Sequence, residues 1–184
     1  MPAESADADL PPETQNGDAG PIVSAEDLAE RLARIVTPAT VIVCVGNSLI
    51  GDDGAGVAVA ERLEDTLPWP VFNAQTVPES YLMKIVNLKP ETLVMVDALE
   101  LGAGPGTIRL LPSRKLTGQT PSTHGPAPLM FLDVVRRMHP CRQVVLGIQP
   151  ESGVFGTGLS EPVEAAVDCI VGAFRILAGK FAQD

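Results

Sequence analysis

The sequence predicts an α/β protein: a three-layer α/β/α domain with a twisted, mostly parallel five-stranded sheet and helices on both faces. Two observations predict it. From Ala39 onward, short β-branched runs alternate with longer stretches of helical periodicity. Runs such as "TVIVCV" and "TLVMVDA" are almost continuously apolar, the pattern of strands covered on both faces. A chain of 184 residues, 45% of them hydrophobic, suffices for one domain with a sizeable core.

The elements follow in order. Residues 1–22 are rich in Pro, Ala and acids and are expected to be a disordered tail. "SAEDLAERLARIV" reads as a helix with Ser24 as N-cap, Asp27 as its capping-box partner, and Leu28, Leu32 and Ile35 on one face. Residues 23–37 are therefore expected to form an appended helix, and 38–184 a single α/β domain. "TVIVCV" is the first buried strand, and "GAGVAVAERLEDTL" the amphipathic helix after it. "VFNAQ" is a weaker strand, and "PESYLMKIVNL" a short helix opening at Pro78. "TLVMVDA" is buried again, whereas "TIRLLP" alternates and suits an antiparallel edge. The helix "PLMFLDVVRRM", the strand "QVVLGI" and a helix from Ser160 to Leu177 complete the chain.

Charge and cysteine content exclude several classes. Residues 1–21 carry five acids and no Lys or Arg, half of the net charge of −10. The remaining body is mildly acidic, which argues against a nucleic-acid surface. Three widely spaced cysteines, Cys44, Cys141 and Cys169, suit buried free thiols rather than a disulfide framework. The N-terminus has neither the basic nor the apolar region of a signal peptide, and no apolar run reaches the roughly 20 residues of a membrane span. A soluble cytoplasmic protein without membrane insertion is expected.

In such sheets ligands bind beyond the carboxyl ends of the strands. The first such segment, "GNSLIGDDGAG", sets Asp52 and Asp53 among glycines. It lacks the GxGxxG and GK[ST] spacings, and two carboxylates would repel a phosphate. Capping the next helix needs only one acid, which leaves the other to be aimed by the glycine turn. Asp97 ends the run "LVMV", where a buried acid is costly without a cation or donors. His124 lies in a polar, proline-rich loop rather than on an apolar face. His139 ends a helix and reads as a surface residue. Asp53, Asp97 and His124 form a candidate divalent-metal set with open positions, and its few ligands suit transient contact. A small-molecule metal-dependent hydrolase using this triad and a non-enzymatic α/β ligand-binding module are the alternatives.

"GNSLIGDDGAG", "VPESYL", "LVMVDALELGAGPGTIRL", "STHGPAPLMFL" and "VVLGIQPES", in this order, resemble the nickel-iron hydrogenase maturation endopeptidases, and more closely the hydrogenase 3 type branch. The resemblance runs from about residue 39 to 177. It implies an aspartic-type endopeptidase that removes the C-terminal extension of a hydrogenase large-subunit precursor after nickel insertion. The nickel would be carried by that precursor and bound transiently, with no permanent cofactor, and the enzyme is expected to act as a monomer. Carried over by motif, the second acid of the turn is Asp53, the acid of the "VDA" strand end is Asp97, and the loop histidine is His124. These would contact the metal and serve catalysis, leaving Asp52 to cap the helix or brace the turn. Gly125, after the histidine, replaces the Asn or Asp often found there. Either a carboxylate activates water, or the nickel polarises the peptide carbonyl.

Overall fold

The computed structural model describes residues 20–116 and 127–182. The expected acidic tail falls outside them save for its last residues, as does the loop carrying His124. Five strands, β1 (Thr40–Val45), β2 (Val71–Gln75), β3 (Thr92–Ala98), β4 (Ile108–Pro112) and β5 (Arg142–Ile148), form one sheet in the order β2-β1-β3-β5-β4. The first four in that order run parallel, and β4 pairs with β5 antiparallel at the edge. All residues of β1 and β3 are buried, as their almost continuously apolar runs lead one to expect.

The helices are α1 (Ala25–Leu32), α2 (Ala55–Leu63), α3 (Leu82–Asn87), α4 (Ala127–Met138) and α5 (Glu161–Phe181). Alternate strand residues serve opposite faces. Ile42, Cys44, Val94, Val96 and Leu146 pack with α1, α2 and α5, while Val43, Leu93, Met95, Leu99 and Val145 pack with α3 and α4. The helix read from the sequence as an appendage is built into the first of these cores, with Leu28 and Leu32 fully buried and α1 lying along α5.

Ser24 caps α1 by accepting from the amide of Asp27 at 3.2 Å, while the Asp27 carboxylate accepts from the amide of Val23. The helix stops at Leu32, short of the expected end, and Ile35 and Val36 are buried in the turn that follows. The last helix runs on to Phe181, whose ring meets Trp69 edge-on at 5.0 Å. His139, half-buried, donates from Nε2 to Pro90 O at 2.9 Å and so ties the end of α4 to the entry of β3. No helix among the described residues is long and apolar enough to cross a membrane.

The strand order places a switch point between β1 and β3. The chain leaves β1 for β2 on one side and returns to β3 on the other, opening a crevice above their carboxyl ends.

Candidate active site at the carboxyl ends of β1 and β3

The turn after β1 is held by its own backbone. The amide of Asn47 donates to Asp53 O at 2.9 Å, that of Ile50 to Asn47 O at 3.0 Å, and that of Asp53 to Ile50 O at 3.1 Å. The Asn47 side chain accepts from the amide of Leu49 at 3.1 Å. A 3-10 turn over Gly51–Gly54 then leads into α2. Two glycines make this geometry possible. Gly51 sits at φ +50, and a Cβ there would lie 2.8 Å from Ser152 O. A Cβ on Gly56 would lie 2.0 Å from Val45 O and 2.8 Å from Val96 O, so only glycine lets α2 start directly against β1 and β3.

Asp52 and Asp53 are both buried, at 1% and 6% exposure, but their surroundings differ. Asp52 reaches across to the loop between β5 and α5. Its Oδ2 accepts from the amides of Glu151 at 2.8 Å and Ser152 at 2.9 Å and from the Ser160 hydroxyl at 2.9 Å, and its Oδ1 accepts from the amide of Ser160 at 2.6 Å. Burial works to raise its pKa, but the bonds from Ser160, Ser152 and Glu151 outweigh it and hold the carboxyl below its ordinary value. Asp52 therefore braces the turn. It does not cap the helix, because neither the 3-10 turn nor α2 has a side-chain cap.

The 3-10 turn that carries Asp53 packs against β3. Asp97, 1% exposed, is the last residue but one of that strand, one beyond the Cys44–Val96 pair, with Gly147 of β5 at its other side. Asp53 and Asp97, 44 positions apart in the chain, thus both lie on the carboxyl side of the neighbouring strands β1 and β3, at the switch point. His124 lies outside the described residues, so the third member of the expected set is not located, and among the described residues no group of three or more His, Cys, Asp or Glu is arranged to hold a metal. A pair of carboxylates can supply hard oxygen ligands to a divalent ion or a general base for water.

A second brace was not singled out from the sequence. Gln149, 6% exposed, accepts from the amides of Leu101 at 2.7 Å and Ala103 at 3.4 Å, and donates to Glu100 Oε2 at 3.1 Å and Pro150 O at 3.2 Å. It joins the loop after β3 to the loop after β5, as Asp52 joins the latter to the turn after β1. Its position just past the last residue of an apolar run, "GIQP", was the available signal. The cysteines are free: Cys44 and Cys141 are buried and Cys169 is half-buried, and burial raises all three thiols.

Comparison with known proteins gives a consistent result. A protein-family model described as HycI, hydrogenase maturation protease, matches residues 57–175, a span that includes Asp97 and begins just after the Asp53 turn. The hydrogenase 3 maturation protease of Escherichia coli (strain K12) is 33% identical over 132 residues, covering 71% of this chain and 85% of that protein. Among solved structures, a hydrogenase 3 maturation protease superimposes with a TM-score of 0.66 at 30% identity, over 75% of this chain and 90% of the other. The [NiFe] hydrogenase maturation protease HycI from Thermococcus kodakarensis KOD1 does so with a TM-score of 0.64 at 31% identity, over 78% and 90%.

Proposed function

This chain belongs to the hydrogenase maturation protease family, and from that membership and the crevice geometry we propose that it removes the C-terminal extension of a nickel-iron hydrogenase large-subunit precursor of the hydrogenase 3 type. The reading is supported above all by two buried acids on the same side of neighbouring strands, Asp53 on the braced glycine turn after β1 and Asp97 near the carboxyl end of β3.

Nickel enters as part of the substrate. Held by the precursor, it meets Asp53, Asp97 and His124, and these oxygen and imidazole ligands suit a divalent first-row ion. Contact with the metal fixes the scissile peptide in the crevice, so hydrolysis depends on prior nickel insertion. An aspartic-type peptidase activates water with a carboxylate, and Asp53 or Asp97 would supply it here. No resident cofactor is needed for this role, and the enzyme works as a cytoplasmic monomer.

The test is to mix the protein with nickel-loaded and nickel-free precursor and read both by mass. Only the loaded precursor is expected to lose its extension. Loss from the nickel-free precursor would remove the sensing step, and loss from neither would remove the endopeptidase reading.

A further inference from the structure

The two loops that Asp52 ties together also expose three large apolar side chains, a platform close in the chain or across a bridge to the Asp53 turn. Leu49 is 59% exposed, Val154 57% and Phe155 74%. Large apolar side chains this open occur on mobile tips, but these belong to a stiff pair of segments. Ile50 and Phe155 form an antiparallel β-bridge, the amide of Gly156 donates to Leu49 O at 2.8 Å, and the amide of Asp52 donates to Ser152 O at 2.9 Å. The Thr157 hydroxyl closes its own turn on Val154 O at 2.8 Å. The Asp52 carboxylate holds the same loop from beneath.

The platform is also uncharged. Residues 45–51 and 152–160 contain no Asp, Glu, Lys, Arg or His, in a chain of net charge −10. An exposed, charge-free apolar patch on a rigid support marks a binding surface. It is continuous with the crevice, because the amide of Asp53 donates to Ile50 O, so the platform and the acid are parts of one small unit.

We propose that Leu49, Val154 and Phe155 dock an apolar, uncharged segment of the protein substrate that flanks the scissile bond. This inference rests on the endopeptidase reading for the identity of the occupant. Docking here would set the register of the substrate relative to Asp53, so that binding energy from a segment that does not react places the peptide that does. Because the contact is apolar, the affinity it supplies should not weaken with added salt, unlike charge-driven docking.

The experiment uses the full chain with Asp53→Asn, which arrests cleavage, and measures its affinity for nickel-loaded precursor by calorimetry. Adding Leu49→Ser and Phe155→Ser should weaken binding at least tenfold, about 1.4 kcal/mol. Met138→Ser is the control. Met138 is 47% exposed at the end of α4, next in the chain to His139, which bonds Pro90 at the entry of β3 and so at the opposite end of the sheet, and its loss should leave the affinity within about twofold. Unchanged affinity after the Leu49 and Phe155 substitutions, or no complex in any background, overturns the platform. It is also overturned if the substitutions convert a dimer to a monomer while precursor binding stays the same, since the patch would then join two copies. The two readings fail separately. A Phe155-dependent complex without cleavage by the unsubstituted protein sinks the endopeptidase and keeps the platform, whereas cleavage with Phe155-independent binding sinks the platform alone.

Discussion

Asp52→Ala should destabilise the protein and misplace Asp53 at the same time. The carboxylate receives four donors from a loop about a hundred residues away: three amides and one hydroxyl, at 2.6 to 2.9 Å. A hydrogen bond to a charged acceptor contributes about 1.5–3 kcal/mol, and donors that regain water lose less. With half of the gross value recovered by hydration, the substitution should cost roughly 3–6 kcal/mol. For a domain of this size each kcal/mol lowers Tm by about 2–4 °C, so 3 kcal/mol corresponds to roughly 6–12 °C. Asp52→Asn retains the Oδ2 acceptor but turns an amide against the Ser160 N–H, so about half the effect is expected.

The pH dependence gives the sign. The folded carboxyl lies below its ordinary value, so its stabilisation is present above the unfolded value of about 4 and is lost as pH falls through the lowered one. Melting curves of the original protein and Asp52→Asn should differ most near neutral pH and converge in strong acid. A Tm within about 2 °C of the original for Asp52→Ala at neutral pH, or a gap that persists unchanged in acid, would refute the brace.

Other outcomes follow from the same geometry. Asp53→Asn and Asp97→Asn should each lower cleavage at least about a hundredfold, the scale of a lost general base. Circular dichroism should remain native, and normal cleavage by either variant would remove that residue from the site. Gly56→Ala would put a methyl carbon 2.0 Å from Val45 O and should cost on the order of 3 kcal/mol, read as a lower Tm, whereas Gly104→Ala, with nothing within 4 Å, should leave Tm unchanged. A thiol reagent should modify Cys169 first and Cys44 last in the native protein, and all three together once it is unfolded, because burial both hides the sulfur and disfavours the thiolate.

The sheet was legible because its strands announce themselves. "TVIVCV" and "TLVMVDA" are apolar but for Thr40, Thr92 and Asp97 over residues that both faces cover, and the alternation of "TIRLLP" marked β4 as the antiparallel edge. The length of α1 was less legible: Ile35 and Val36 continue its apolar pattern, yet they are buried from a turn rather than from the helix. Periodicity reports burial, and burial does not require helical hydrogen bonds.

The sequence by itself determined the α/β class, the strand ends to inspect and the family, through motifs that are local in the chain, and it offered Asp53 and Asp97 as site candidates. Only the tertiary structure decided how Asp52 is held. Asp52 and Asp53 are both buried acids in one glycine turn, and what holds Asp52 is the loop from Glu151 to Ser160, which sequence spacing does not bring near. The same holds for Gln149, whose bonds run to Leu101 and Glu100, and for the bridge that places Phe155 beside Ile50. Strand order brings these segments together, and that order is set by which apolar faces pack against one another across the whole chain.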